Sequence, residues 1–368
     1  MTDVSFDFGH TTVGELDVSC TEDEKGKKHV QYVLIDGDAY RPTDRFWISF
    51  FSKFGLSDNV FKYFDHNEVF ERISDRAPSD SLRFCVEKKD GRDYQHLLAV
   101  TAPTKPLVRH ETLVPTLEKY GGMNIDYHQG MVSSTHVPRI DNQFDIFGEK
   151  YNNRFVMETP IDGFGKPNIY LSLLRQICLN GAIGYAKAFR SALTVGKNDD
   201  CLLAVERALD GFDNDEGYAA LRQRFESAAK SWASLYEART LYDQFTRART
   251  ATGTYKTTMG PDGARISTMT EVLQAFHETT GNVMDLYGVA NPDVFSAKKQ
   301  RTLPVKCRVY DLLTLASEVA THYTRSEASK IIQGWVGGTV SNEYDLEGTC
   351  EEFPEFDAFY VNPKEEAA

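Results

Sequence analysis

The period of the hydrophobic pattern changes at about residue 183, and this change constrains the fold more than any other feature of the sequence. Before it, short β-rich runs flank turn-forming residues at 82–102 and 143–160, which predicts two antiparallel hairpins. After it, apolar residues recur at steps of three and four, which is typical of helices. We therefore predict an α+β fold, with an antiparallel sheet and flanking helices in the N-terminal half and an all-helical C-terminal half.

Shifts in composition divide the predicted fold into four parts. Residues 1–29 are polar and are expected to form a loosely ordered arm, and residues 30–182 are expected to form the α+β domain. A helical domain follows over 183–341, and residues 342–368 make an acidic-aromatic tail. The tail holds nine Asp and Glu residues against Lys364 alone, so it carries a net charge of −8 out of the chain's formal −13.

Turn and cap residues locate individual elements of the N-terminal half. Asp90-Gly91 is the strongest hairpin signal in the chain, and the second hairpin is predicted to turn near Asn152-Asn153. Thr43 is a suitable helix N-cap and Gly55 a suitable stop, so a helix is predicted between them. Its apolar face holds four aromatic residues: Phe46, Trp47, Phe50 and Phe51.

One long helix is predicted around residues 218–242, where apolar side chains alternate at steps of three and four as in a heptad repeat. The repeat consists of Tyr218, Leu221, Phe225, Ala228, Trp232, Leu235, Arg239 and Tyr242. A helix of about 35 residues would span about 50 Å. Its apolar stripe must pack either on another helix of the same half or on a second subunit, and we expect a homo-oligomer.

Composition argues against membrane insertion, export and metal binding. The sequence has no apolar stretch long enough for a bilayer span, and its first thirty residues carry Asp, Glu and Lys instead of an apolar block. Its six cysteines are scattered, with no Cys-x-x-Cys pair and no zinc-like spacing. We expect a cytoplasmic protein with reduced thiols and without a membrane partner, a metal ion or another cofactor.

Known catalytic motifs are missing from the sequence. The stretch Gly163–Lys166 resembles the end of a phosphate-binding loop, but Pro160 stands where the first glycine is needed. Pro167 likewise replaces the Ser or Thr that would hold magnesium. No nucleophile elbow, zinc-protease motif or dinucleotide fingerprint occurs, so no catalytic residue is assigned.

The stretch SLLRQICLNGAIGY, residues 172–185, places an arginine and Cys178 in an apolar run that ends in Asn180-Gly181. Apolar residues here follow helical spacing, and Asn-Gly is a suitable helix C-terminus, which predicts a buried helix with Cys178 facing inward. In the alternative interpretation, Asn180-Gly181 is a hairpin turn that splits the run into two strands.

This stretch also resembles a family of phage- and plasmid-related proteins, the domain of unknown function 932. The resemblance rests on an Asp-Gly turn followed by an apolar segment that ends in Arg, then Ile-Cys, then Asn. The matching residues are Asp162, Gly163, Arg175, Ile177, Cys178, Asn180 and Gly181. The family has no established activity and supplies no catalytic residues. The resemblance therefore implies a mobile-element protein that works inside a bacterial host cell.

Two predicted loops of the helical half are basic although the chain as a whole is acidic. Residues 296–309 contain five cations and no carboxylate, and residues 246–265 combine cations with threonines and a tyrosine. Lys and Arg neutralise phosphates, and Tyr offers a face on which a base stacks. The candidate nucleic-acid-binding residues are Arg247, Arg249, Tyr255, Lys256, Lys298, Lys299, Arg301, Lys306 and Arg308. In the alternative interpretation, both segments are solvated connections between helices.

The acidic-aromatic tail suggests how such a surface would be regulated. Its composition is similar to that of the tails of phage single-strand-binding proteins, which compete with nucleic acid and dock partner proteins. The alternatives are a solubilising tail and aromatic residues that pack back on the body. Our first hypothesis is a non-enzymatic, phage- or plasmid-type protein that binds single-stranded nucleic acid, in annealing or recombination.

Two other classes of function remain open from the sequence. One is a structural or assembly component of a phage that self-associates through the 218–242 repeat and does not bind nucleic acid. The other is an enzyme that uses Cys178 as a nucleophile or a pair of carboxylates as acid and base. The overall acidity of the chain favours the first of these two over nucleic-acid binding.

Overall fold

The computed structural model divides the chain into two compact units. It describes residues 4–24, 28–139, 143–175, 181–183, 189–195, 200–250, 257–259, 265–281, 292–324 and 326–342. The first unit comprises residues 1–135, 157–168 and 192–211, and the second comprises 136–156, 169–191 and 212–368. The division does not confirm the predicted boundary between residues 182 and 183, because each unit takes residues from both sides of it.

The first unit combines strands and helices. Its strands are β1 (Val4–Thr12), β2 (Leu16–Glu22), β3 (Lys28–Ile35), β4 (Asp38–Pro42), β5 (Ser81–Lys89), β6 (His96–Thr101), β7 (Met123–His128) and β8 (Met131–His136). Its helices are α1 (Asp44–Phe54), α2 (His66–Arg76), α3 (His110–Lys119) and α4 (Cys201–Gly211).

The second unit is also mixed. Its strands are β9 (Gln143–Ile146), β10 (Glu149–Pro160), β11 (Asn168–Arg175), β12 (Gly181–Ile183), β13 (Arg190–Ala192), β14 (Trp232–Ser234), β15 (Thr257–Met259), β16 (Arg265–Ser267) and β17 (Pro304–Arg308). Its helices are α5 (Asp215–Lys230), α6 (Leu235–Thr250), α7 (Thr268–Thr280), α8 (Ala297–Gln300), α9 (Val309–Glu318) and α10 (Ser326–Ser341). The end of β10, from Met157 on, belongs to the first unit.

A six-stranded sheet organises the first unit, in the order β1-β5-β6-β4-β3-β2. All its pairings are antiparallel except the short parallel contact between β4 and β6. Helix α1 packs on β6 and buries Phe46 and Phe50 completely. The hydroxyl of Thr43 accepts a hydrogen bond from the backbone N–H of Phe46, and Gly55 ends the helix with a φ of 66°. The predicted helix and its two caps are thus confirmed.

The two edge strands of this sheet correct the prediction for the N-terminal arm. Residues 1–29 are expected to be loosely ordered, but β1 pairs with β5 along its whole length and β2 pairs with β3. An edge strand has a neighbour on one side only, and much of each of these strands is exposed. Their polar composition is therefore compatible with regular structure.

The predicted helix in the stretch 172–185 is wrong. Residues Asn168–Arg175 form strand β11, which pairs with β12 so that Leu174 lies opposite Gly181. The alternative interpretation is correct in having two strands, but Gly181 belongs to β12 and not to the turn. Residues 176–180 lie outside the described part. Residues 169–173 are all buried, and a strand buried on both faces lacks the alternation that distinguishes a strand from a helix in sequence.

The second hairpin forms, but its turn is elsewhere. Strands β9 and β10 pair antiparallel around Phe147-Gly148, whereas Asn152-Asn153 lies inside β10. Both turn residues have a positive φ, 54° at Phe147 and 81° at Gly148. This is the conformation of a two-residue turn that Asn-Gly usually fills, so Asn-Asn was the misleading signal.

The long helix and the all-helical C-terminal half are also wrong. Helix α5 ends at Lys230, strand β14 follows, and α6 begins at Leu235. Strand β14 pairs antiparallel with β17, and β15 pairs with β16. Four residues of the repeat in α5 are buried in the core of the second unit: Tyr218, Leu221, Phe225 and Ala228. The stripe of α5 therefore packs within its own unit.

Candidate functional site

The basic segment 296–308 is structured, which corrects its prediction as a loop. Residues 297–300 form α8, and the hydroxyl of Ser296 caps it by accepting from the backbone N–H of Lys299. Lys298 and Lys299 are exposed, and neither makes an ion pair with another residue in the described part of the chain. The cations of α8 are thus available to a ligand.

Strand β17 presents its cations on one face. Val305 and Cys307 are buried, whereas Lys306 is exposed and Arg308 half-buried. The register with β14 shifts between Trp232 and Ser234, but burial still alternates along β17, so Lys306 and Arg308 lie on its less buried side. Pairing with β14 places Trp232 opposite Arg308 and Ser234 opposite Pro304.

Two arginines of this segment lie over aromatic rings. The guanidinium carbon of Arg308 lies 3.8 Å from the centroid of the Trp232 ring, and that of Arg301 lies 4.2 Å from the centroid of Tyr236. Arg308 is also held by a hydrogen bond of 2.8 Å from Nη1 to the backbone oxygen of Lys230. Cation–π contacts and this hydrogen bond fix the orientation of the two groups.

We call the cations of this segment, together with the two aromatic rings, the ribbon face of the second unit. It comprises Trp232, Tyr236, Lys298, Lys299, Arg301, Lys306 and Arg308. Strand β17 spans about 13 Å from Pro304 to Arg308. The Arg308–Trp232 pair therefore lies at the far end of the two-stranded β14–β17 ribbon. The Arg301–Tyr236 pair lies just before the start of β17.

Of the remaining predicted cations, only Arg247 has a described side chain, and it lies away from the ribbon face along the chain. Arg247 is exposed on α6, eleven residues after Tyr236, which corresponds to about 16 Å along the helix axis. Arg249 belongs to the last turn of α6. Tyr255 and Lys256 lie outside the described residues, as does the tail from residue 343 on.

Two neighbouring pockets open beside the ribbon face and share Tyr310 and Asp311. The smaller has a volume of about 310 Å³ and is lined by Phe147, Ala229, Lys230, Arg308, Tyr310 and Asp311. The larger, of about 560 Å³, is polar and includes Arg175, Lys306 and the carboxylates of Glu278 and Glu318. Three residues singled out in the sequence, Arg175, Lys306 and Arg308, thus line one or the other pocket.

A hydrogen-bonded network lines the larger pocket. Glu149 forms an ion pair with Arg175 and accepts a hydrogen bond of 2.5 Å from the hydroxyl of Tyr310. The Tyr151 hydroxyl lies 2.5 Å from that of Tyr310 and 3.3 Å from Glu149 Oε2. Burial raises the pKa of Tyr151 to about 12, and burial together with the bonds to Glu149 and Tyr151 raises that of Tyr310. Both phenols therefore stay protonated near neutral pH and act as hydrogen-bond donors.

Asp162 and Gly163, the first residues of the motif that resembles the phage- and plasmid-related family, make close contacts with arginines of the first unit. Arg45 donates from Nε to Asp162 Oδ2 at 2.6 Å and from Nη2 to Oδ1 at 3.0 Å, and the Asp162 side chain is completely buried. Gly163 has a φ of 75°, and a Cβ atom there would lie 2.3 Å from Nη2 of Arg83. Cys178 and Asn180 lie outside the described residues, and Gly181 begins β12.

Thiol and metal chemistry find no support in the described residues. Burial raises the pKa of Cys85 and Cys307, and it raises that of Cys201 to about 11, so these thiols stay protonated. Across the ranges given above, no three His, Cys, Asp or Glu side chains are placed to hold a metal ion. Among the helices described, none combines the length and apolar character that crossing a membrane requires.

Sequence reasoning identified the cations of the site but not their aromatic partners. The heptad spacing predicts that Trp232 and Tyr236 belong to a long helix, and Phe147, Lys230 and Tyr310 are not among the predicted site residues. The one local signal among them was the Phe147-Gly148 pair between two strand-forming runs. No protein-family model, curated protein or solved structure matches the chain. The resemblance to the phage- and plasmid-related family stays a prediction.

Proposed function

We propose that this protein binds single-stranded nucleic acid through the ribbon face, without catalysing a reaction. The observation that carries the proposal is the pair of guanidinium groups, Arg301 and Arg308, held over aromatic rings beside exposed lysines in a segment without carboxylates. In keeping with the sequence resemblance, the protein would act for a phage or plasmid inside a bacterial host cell, in annealing or recombination.

The chemistry of the ribbon face suits an unpaired strand. Lysines such as Lys298 and Lys299 contribute charge at phosphates without reading the sequence. A planar guanidinium stacks on an unpaired base, and an aromatic ring behind it keeps the plane in place. Bases in a duplex are already stacked on each other, so this combination favours single strands.

The charge of the chain makes the position of the cations decisive. A net charge of −13 repels a polyanion at long range, and this repulsion is screened beyond about 8 Å at physiological ionic strength. The cations of the ribbon face therefore attract a nucleic-acid strand only when the strand is already close to them. The residues 342–368, which carry −8 of the net charge of −13, are proposed to compete with the strand for the ribbon face or to dock a protein partner.

The test is a titration of a fluorescent single-stranded oligonucleotide against the protein at several salt concentrations. We expect the Lys298→Gln/Lys299→Gln variant to bind more weakly and to lose about 1.4 from the slope of log affinity against log salt. The matched control is Lys62→Gln/Lys166→Gln, which removes two exposed lysines of the first unit. The proposal would be contradicted if Lys298→Gln/Lys299→Gln had the same salt slope as the wild type. It would also be contradicted if this variant and the control lost the same amount of affinity.

A second titration addresses the acidic residues. Deleting residues 342–368 should tighten binding, most strongly at low salt, because eight net negative charges are removed. An unchanged affinity would remove these residues from the mechanism and leave the ribbon face as the proposed site.

A further inference from the structure

The turn between β9 and β10 carries an aromatic residue where the backbone disfavours one. Phe147 has a φ of 54°, in the left-handed region, and Gly148 follows with a φ of 81°. Asn, Asp and Gly adopt this conformation easily, whereas a bulky side chain is strained there. The Phe147 side chain is nevertheless 65% exposed. It gains little from burial, so the stability of the fold does not explain its presence.

Phe147 borders the smaller of the two pockets. Its ring centroid lies 6.5 Å from that of Tyr310, and Ala229 adds a further apolar wall. The volume of about 310 Å³ lies at the lower end of the range for small-molecule pockets. A pocket bordered by two aromatic rings and an alanine suits a flat, unsaturated group better than an aliphatic chain.

The charged residues at the pocket indicate the chemistry of the occupant. Lys230 and Arg308 contribute cations. The carboxylate of Asp311 accepts a hydrogen bond of 2.8 Å from the backbone N–H of Arg308. It also lies in the first turn of α9, where the helix dipole stabilises its negative charge. An apolar ring site with cations beside it is complementary to a base attached to a phosphate.

Arg308 belongs both to this pocket and to the ribbon face. A strand whose phosphates lie along Lys306 and Arg308 would therefore bring a neighbouring base to the pocket. We infer that the pocket of Phe147, Lys230, Arg308 and Tyr310 binds one unstacked base of the single strand, with Phe147 as a stacking platform. This inference rests on the proposed function and extends it from phosphate binding to base binding.

The test compares two strands of equal length, oligothymidine and an abasic strand, which has the same phosphates but no bases. The variant is Phe147→Asn, because Asn suits the left-handed turn and removes the ring. We expect affinity for oligothymidine to fall about 5- to 100-fold and affinity for the abasic strand to stay unchanged. The midpoint of thermal unfolding should be equal or higher, which shows that the variant folds.

The matched control is Tyr63→Asn, which removes an aromatic ring that is 80% exposed in the first unit. It should bind both strands as the wild type does. If Phe147→Asn binds oligothymidine normally while Lys298→Gln/Lys299→Gln does not, the base pocket is wrong and the proposed function stands. If the wild type binds neither strand, both are wrong. If Phe147→Asn lowers the mass of an oligomer in sedimentation without changing affinity, the pocket is a contact between subunits and the inference falls.

Discussion

Arg45 and Asp162 lie 117 residues apart in the sequence and form a two-point ion pair inside the first unit. The Asp162 carboxylate also accepts a hydrogen bond of 2.9 Å from the backbone N–H of Phe164, and Arg45 donates to the backbone oxygen of Phe164. The pair thus connects helix α1 with the segment after β10. Its energetic importance comes from burial, since a carboxylate without its partner cannot be solvated here.

Removal of one partner should therefore be costly. We expect Arg45→Ala to lower the free energy of unfolding by about 3–5 kcal/mol, because it leaves the fully buried Asp162 carboxylate without its counter-ion. Urea denaturation followed by circular dichroism measures the change. The control is Arg72→Ala, which breaks the exposed pair with Glu68 and should cost less than about 1 kcal/mol. Equal losses in the two variants would show that burial does not set the cost.

Gly163 allows a separate prediction about the same region. Gly163 and Gly91 have nearly the same φ, 75° and 78°, and this positive φ disfavours Ala at both positions. At Gly91 nothing lies within 4 Å of the added Cβ, whereas at Gly163 it would meet Nη2 of Arg83 at 2.3 Å. We expect Gly91→Ala to cost about 1–2 kcal/mol.

Gly163→Ala should cost at least about 1 kcal/mol more, because the buried Arg83 has to move. Urea denaturation of both variants measures this difference. If Gly163→Ala costs no more than Gly91→Ala, the contact between Gly163 and Arg83 is not tight in solution.

The first unit should lose stability below about pH 6.5 because of two histidines. Burial lowers the pKa of His66 and of His110 below 6.5. Each therefore takes up its proton at a higher pH in the unfolded chain than in the folded one. Their stabilising contribution is complete above the unfolded pKa and decreases as the pH falls toward the folded pKa.

The His66→Gln/His110→Gln variant should show a flatter dependence of unfolding free energy on pH between about pH 7 and about pH 5. His10→Gln, which changes an exposed histidine of the same unit, is the control variant whose profile is compared with that of the double variant. A double variant with the wild-type slope would show that other groups cause the acid sensitivity.

Glu87 adds to the acid sensitivity at lower pH. Burial raises the pKa of Glu87, but the hydrogen bond from Tyr127 and the nearby Lys89 and His96 lower this pKa overall.

Local signals in the sequence were sufficient for elements that local contacts determine. Thr43 and Gly55 fixed both ends of α1 because an N-cap hydroxyl and a left-handed glycine act within one turn of the helix. Asp90-Gly91 likewise predicts the hairpin of β5 and β6, which forms with a longer connection, because β5 ends at Lys89 and β6 begins at His96. These elements need no information from distant parts of the chain.

Elements that depend on distant partners could not be predicted in this way. The heptad spacing continues through Trp232, but pairing with β17 makes Trp232–Ser234 a strand. The same pairing brings Trp232 to Arg308, so the cations of the site were visible as a charge cluster and their ring partners were not. The partnership of Arg45 with Asp162 likewise has no signal near either residue.

Substitution of Arg308 separates the contribution of charge from that of stacking to strand binding at the ribbon face. Arg308→Lys keeps one positive charge but removes the planar group that lies 3.8 Å from the Trp232 ring. We expect affinity for a single strand to fall about fivefold or more, since the stacking surface is lost. The slope of log affinity against log salt should not change, because the number of phosphates neutralised is the same.

Lys299→Gln is the reciprocal variant, because it removes an exposed charge and leaves the stacked arginines intact. Its slope should fall by about 0.7, and its affinity should approach that of the wild type as salt rises. Titrations of both variants at low and high salt separate the two contributions. Arg308 would act only through its charge if Arg308→Lys left the affinity unchanged or lowered the slope as Lys299→Gln does. In that case the Trp232 ring would contribute to the fold and not to strand binding.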